Sequence, residues 1–209
     1  MKVAVVAANG KAGRLITEEA VNRGMDVTAI VRKENQTVAK NAIIKDVFDL
    51  TKEDLKDFDV IANAYGSWAP ETADTICDAS MALVDLLKGT NQRLVIVGGA
   101  GSLYIDPEHT KTVVDVTPFP PEAMPVVNAH GKLLEKLRTV NDVKWTYISP
   151  AGDFQPEGKR TGKYILGGEE LVLNSKGESV ISYADYAIAF VDEIESGAHV
   201  KERISVVSE

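Results

Sequence analysis

The feature that most constrains this chain is its first two dozen residues. Lys2 to Ala8 is a short, almost wholly apolar run; Asn9-Gly10-Lys11-Ala12-Gly13 follows as a glycine turn. From Lys11 to Arg23 the residues Leu15, Ile16, Glu19, Ala20 and Arg23 recur at helical spacing, and Gly24 stands where a left-handed stop belongs. A buried strand that turns through glycines into a helix points free backbone N–H groups, and the positive helix end, at whatever lies above the turn. The spacing is Ala7-x-x-Gly10-x-x-Gly13, in which Gly10 lets the backbone approach a phosphate and Gly13 lets helix pack on strand. Ala7 departs from the glycine that opens this pattern, so the sequence does not dictate how tightly the first turn closes.

The rest of the chain repeats the theme. Asp26 to Val31, Asn41 to Lys45, Asp59 to Ala64 and Arg93 to Val97 read as further strands, and Glu71 to Lys88, ended by Gly89, as a helix. The runs VAVV, VTAI, VIAN and LVIV lack polar alternation, as expected of strands covered on both faces. Strands alternating with helices predict an α/β chain, a Rossmann-type doubly wound and mainly parallel sheet with helices on both faces, forming one domain over residues 1–209. Tyr104 to Pro125 is rich in proline and is expected to be a long surface loop. A helix from Val127 to Thr139 and a strand from Val143 to Ser149 follow, and then a second excursion, Ala151 to Gly168, over the sheet's edge. Ser182-Tyr183-Ala184-Asp185 fits a capping box for a last helix to Ser196, stopped by Gly197, before a final strand from Arg203 to Val207. The two loops, near 104–125 and 151–168, are the candidate walls of an acceptor site.

Composition excludes several classes. A net charge of −8 argues against a nucleic-acid backbone as partner. No apolar stretch is long enough for a membrane span and no cleavable signal opens the chain, so a cytoplasmic protein is expected. Cys77, the single cysteine, reads as a packed thiol, and His109, His130 and His199 fit no metal-ligand spacing, so no metal is expected. A homodimer is compatible with the sequence, which exposes no particular interface.

In a dinucleotide site of this type, an acidic residue about 20 positions beyond the glycines takes the ribose hydroxyls of NAD, whereas an arginine suits the 2′-phosphate of NADP. The second strand ends Val31-Arg32 with no carboxylate, which favours NADP(H) over NAD(H); Lys11, Arg14 and Lys33 can add to the same anionic site. Asp46, Val47 and Phe48 after the third strand either border the adenine or are a turn residue and core.

Taken together, the AANGKAGR loop, the IVR strand end, DVFD, VGGAGSLY and SPAGDFQPEGKRTGKY resemble the atypical short-chain dehydrogenase/reductases. Among them the resemblance is to the NADH-flavin reductase group, related to biliverdin-IXβ/flavin reductase and to NmrA-like proteins. It spans essentially the whole chain, and Gly98-Gly99-Ala100-Gly101-Ser102-Leu103 is its most specific element. It implies that Ala64, Tyr65 and Gly66 line the central ribose and phosphates, that Gly98, Gly99, Ala100 and Gly101 run beside the nicotinamide, and that Pro150 and Gly152 lie near its carboxamide. The better-known branch carries Tyr-x-x-x-Lys, whereas this chain has Asn128-Ala129-His130-Gly131-Lys132. Lys132 is then expected on the nicotinamide ribose, and alcohol dehydrogenation through a tyrosine is not. Hydride transfer to a flat acceptor such as a flavin or quinone needs no such tyrosine. Ser102, Tyr104 and His130, the last with an imidazole near its ordinary pKa, are the candidate proton donors. Two alternatives come with this resemblance: an NmrA-like module that senses NADP redox state without catalysis, and, more remotely, a sugar-nucleotide epimerase.

Overall fold

The apolar runs become the middle of one large sheet, because strands hydrophobic on both sides must be covered on both sides. In the computed structural model, which describes residues 1–209, β1 (Lys2–Val6) pairs in parallel with β2 (Asp26–Val31) on one side and β4 (Val60–Asn63) on the other. β3 (Asn41–Ile44), β5 (Arg93–Val97), β6 (Lys144–Ser149) and β10 (Glu202–Val207) extend the sheet, and β8 (Ile165–Gly167) closes one edge antiparallel to β10. The order is β3-β2-β1-β4-β5-β6-β10-β8. The chain therefore runs outward from β1 in one direction, then restarts at β4 and runs outward in the other. Such a reversal leaves a crevice above the carboxyl ends of β1 and β4, the Rossmann-type ligand position.

Alternation along each strand feeds two cores. Val3 and Val5 pack with Ile16, Tyr186 and Phe190 beneath α1 (Lys11–Asn22) and α6 (Tyr183–Ser196). Ala4 and Val6 pack with Leu83, Leu133 and Tyr147 beneath α3 (Thr75–Leu87) and α5 (Met124–Leu137). Cys77 is fully buried in the second core. The left-handed stops are where the sequence puts them, with Gly24 at φ 79°, Gly89 at 73° and Gly197 at 55°. No helix is long and apolar enough to cross a membrane.

Three local expectations are corrected. The proline-rich stretch is not loop throughout: Val113–Val116 forms a short helix with a Thr112/Asp115 capping box, and α5 begins at Met124 with Pro125 in its first turn, where a missing N–H costs nothing. The second excursion contains β7 (Asp153–Gln155), which pairs in parallel with β9 (Val180–Ser182) apart from the main sheet. Ser182 does cap α6 by accepting the Asp185 N–H at 3.0 Å, but the reciprocal half of the box is absent. The fully buried Asp185 carboxylate instead accepts the Thr161 and Gly162 N–H groups, each at 2.9 Å, and so pins the second excursion to α6.

Candidate active site

A cavity of about 640 Å³ occupies the crevice. Its floor is the phosphate turn. Ala7 takes the left-handed conformation at φ 56°, strained by about 1 kcal/mol for a residue with a side chain, and its carbonyl accepts the Gly10 N–H at 3.0 Å. The tight turn thus forms without the customary glycine. Arg14 N–H bonds back to Gly10, while the amides of Lys11, Ala12 and Gly13 have no partner in the protein and face out of the N-terminus of α1. That is a cradle suited to an anion. Gly10, Lys11 and Ala12 line the cavity. Gly13 lies behind them, where a Cβ would come within 2.9 Å of Ala8 Cα and closer still to the Ala7 carbonyl oxygen.

The end of the cavity over β2 and β3 is cationic. Arg32 and Lys33 line it and make no hydrogen bond or ion pair, whereas Lys45 is held by Asp54 at 2.8 Å and Lys11 faces Glu157 at 3.8 Å. Arg14 does not reach the cavity, because its guanidinium donates to the Asn9 carbonyl at 2.9 Å and to the Gln36 amide oxygen. Asp46 is a turn residue whose carboxylate accepts the Phe48 N–H at 3.1 Å, and with Val47 it also lines the cavity. Phe48 is not core; it is half exposed and meets Tyr65 edge-on at 6.4 Å.

Above β4, buried Asn63 donates to Ser80 Oγ at 2.9 Å and accepts the Tyr65 N–H at 3.0 Å, fixing the turn that sets Ala64, Tyr65 and Gly66 along the wall. Trp68, 80% exposed, stands at the cavity's edge. At the end of β5 Val97 and Gly98 reach the cavity. Gly99, Ala100 and Gly101 lie outside the lining, and the glycines are explained by contact: a Cβ at Gly98 would run into the Tyr147 ring, one at Gly99 would lie 2.9 Å from His130 Cβ, and one at Gly101 2.6 Å from Val127.

Of the three candidate proton donors, the structure brings only His130 to the cavity. The backbone and hydroxyl of Ser102 are turned to the Arg203 guanidinium, at 3.2 and 3.5 Å. Tyr104 stacks on His109 at 4.2 Å, close to the same arginine. Burial pushes the His130 imidazole down to about 4, so it is neutral near pH 7 rather than titrating near its ordinary value. Its Nδ1 lies 3.5 Å from the hydroxyl of Tyr147, which accepts the Gly99 N–H at 2.9 Å. Lys132 is also displaced from its expected place. Two residues along α5 is a different helix face, so its ammonium is exposed and 3.8 Å from Asp74. Pro150 and Gly152 lie outside the lining, the Gly152 N–H being taken by Ser179 Oγ at 2.9 Å. Their place is filled by residues the sequence did not single out, Phe154 of β7 and Tyr183 at the start of α6, whose rings stack at 3.9 Å, together with Val126 of α5. Only the pairing of β7 with β9 brings Phe154 and Tyr183 together, and no spacing in the sequence signals it.

The depressed His130 value has a consequence for stability. The folded value lies below the unfolded one of 6.5, so as pH falls from about 6.5 toward about 4 the unfolded chain takes up a proton that the native chain refuses. Native stability should therefore decline through that window. In His130→Gln that part of the decline should be missing, as measured by urea midpoints between pH 7 and 4; parallel curves for the two proteins would refute it.

Residues 7–196 match the model of the NAD(P)H-binding family. The chain is 45% identical over 212 residues to YwnB of Bacillus subtilis, covering 100% of this chain and 99% of the relative. A structure from Streptococcus pneumoniae, described as a "putative NADH-flavin reductase", superposes with a TM-score of 0.97 at 51% identity over the whole of both chains. A short-chain dehydrogenase/reductase from Veillonella parvula, in complex with NADP, has the same fold at a TM-score of 0.70 and 16% identity, over 99% of this chain and 94% of that one.

Proposed function

Because the chain belongs to the NAD(P)H-binding family, we propose that it is an NAD(P)H-dependent oxidoreductase that passes a hydride to a flat acceptor such as a flavin or quinone. The observation that carries this reading is the division of one cavity into an anion cradle with free cations and an aromatic end. At the first end are the unpartnered amides of Lys11 and Ala12, with Arg32 and Lys33; at the other are Val126, His130, Phe154 and Tyr183. The extent and polarity of the cavity suit an extended dinucleotide, and the strongly similar Streptococcus pneumoniae protein carries a matching description.

When bound, the nicotinamide supplies the hydride. The chain's own contributions are binding and orientation. The turn amides hold the pyrophosphate, Ala64 to Gly66 the central wall, and the aromatic end excludes water from one face of a planar ring. His130, neutral near pH 7, serves as a hydrogen-bonding group at the ring's edge and not as an acid, and the proton that accompanies reduction of a flavin or quinone comes from solvent. Asn128, standing where the related branch has a tyrosine, is exposed and takes no part. Loss of NADPH absorbance in the presence of FMN or a quinone tests the reading. Tight cofactor binding with no turnover across a panel of flat acceptors would move it to a redox sensor.

The free cations favour NADPH over NADH. Arg32→Asp should weaken NADPH by about 1–3 kcal/mol, the loss of a charge-assisted contact, while NADH changes little. Calorimetric affinities check this, and equal losses for both cofactors would remove Arg32 from the 2′-phosphate site.

A further inference from the structure

We infer that Asn9 is a positioning residue for cofactor choice: it locks the segment bearing Arg32, Lys33 and Gln36 to the phosphate turn, fixing the span between the 2′-phosphate cations and the pyrophosphate cradle. Both polar atoms of its amide bond that segment. Nδ2 donates to the Glu34 carbonyl at 2.9 Å, and Oδ1 accepts the Gln36 N–H at 2.8 Å. The Asn9 backbone carbonyl accepts from Arg14 Nε at 2.9 Å, and the same guanidinium donates to the Gln36 side-chain oxygen. These bonds close a ring through the turn, the first turn of α1 and the connection between β2 and β3.

The latch matters because of what it joins. Asn9 immediately precedes Gly10, the residue that caps α1, so its backbone is fixed by the cradle itself. Residues 32–40, in contrast, have no regular secondary structure, and Arg32, Lys33, Glu34 and Gln36 are all exposed. Left to itself, such a segment would pay ordering entropy on binding an anion; tied to the cradle it is preorganised. Asn9 and Gln36 both line the cavity beside Arg32 and Lys33, and each polar atom of the Asn9 amide already bonds the segment, with one N–H and one lone pair left over. The bonds already made act through the segment, and Gln36 exchange separates that effect from a direct contact with the ligand. The inference rests on the reading that Arg32 and Lys33 take the 2′-phosphate.

The test combines calorimetric titration of NADPH and NADH with amide hydrogen exchange, on the wild type, Asn9→Ala and Asn9→Asp. Asn9→Ala should lower NADPH affinity about tenfold, the worth of one or two hydrogen bonds, and NADH affinity far less. The Gln36 amide, which is exposed apart from this bond, should exchange faster. Asn9→Asp keeps the acceptor for Gln36 but loses the donor to Glu34, so it should retain the protection and fall between the others in NADPH affinity. An unchanged NADPH-to-NADH ratio with Gln36 still protected in Asn9→Ala overturns the inference, as does equal loss of both cofactors, which would make Asn9 part of the cradle alone. If the wild type itself does not distinguish the cofactors, the 2′-phosphate assignment falls, and the latch is then decided by Gln36 exchange: faster in Asn9→Ala supports it, unchanged refutes it.

Discussion

Gly13→Ala should abolish measurable dinucleotide binding and lower stability by about 2–3 kcal/mol. A Cβ there would press on Ala8 Cα at 2.9 Å and still harder on the Ala7 carbonyl, and both are backbone atoms of the turn. No side chain can move aside to relieve this, so α1 must lift off β1. That shift spoils the two properties the cradle needs, namely the close set of free amides and the hydrogen bond from Gly10 to Ala7 that closes the turn. Thermal melts and NADPH titration of the variant check the prediction together. A variant that binds NADPH like the wild type would show that the dinucleotide does not sit on this turn.

The second large effect is expected at a residue outside the cavity lining. Arg203 on β10 has a fully buried side chain that is bonded to the Glu169 carboxylate, which also holds Arg138 at 2.7 Å. It further donates to the Ser102 carbonyl at 3.2 Å and to the Glu169 carbonyl at 3.0 Å. Arg203 therefore ties the turn after β5 and the segment after β8 to the sheet. Removing one partner of a buried pair leaves the other uncompensated, at a typical cost of about 3–5 kcal/mol. Glu169 is 28% exposed and keeps Arg138, so Arg203→Ala should cost about 3 kcal/mol, the low end of that range. The urea midpoint measures it. Arg203→Lys keeps the charge but not the fork that reaches two carbonyls and a carboxylate, and should fall between. A midpoint unchanged in Arg203→Ala would mean that other contacts carry both segments.

These two residues also mark how far the sequence could be read. Gly13 was legible, because a strand, a spaced glycine turn and a helix are local features whose meaning does not depend on the rest of the chain. The same holds for the stops at Gly24, Gly89 and Gly197 and for the continuous apolar runs, where local propensity and two-sided burial agree. Arg203 was not legible. Its partners are set by register, which places it beside Tyr147 across β6 and β10, and by two loops that return to it from distant points in the chain. The orientation of Ser102 and Tyr104 follows from that arginine, so the candidate donors could not be sorted by position alone. The Asp185 carboxylate matched a capping signature and was claimed instead by Thr161 and Gly162. The neutrality of His130 comes from burial beside the glycine run, a packing property with no trace in spacing. The aromatic wall of Phe154 and Tyr183 required a strand pair of three residues each, too short to declare itself.

On the proposed function, one cavity holds a reduced nicotinamide dinucleotide along its cradle and leaves its aromatic end for a planar acceptor. The most direct test is calorimetric titration of the purified protein with NADPH, then NADH, followed by FMN into the loaded protein. Micromolar NADPH binding, with FMN binding only to the loaded protein, is expected; no binding of either dinucleotide would rule out the role proposed for this cavity.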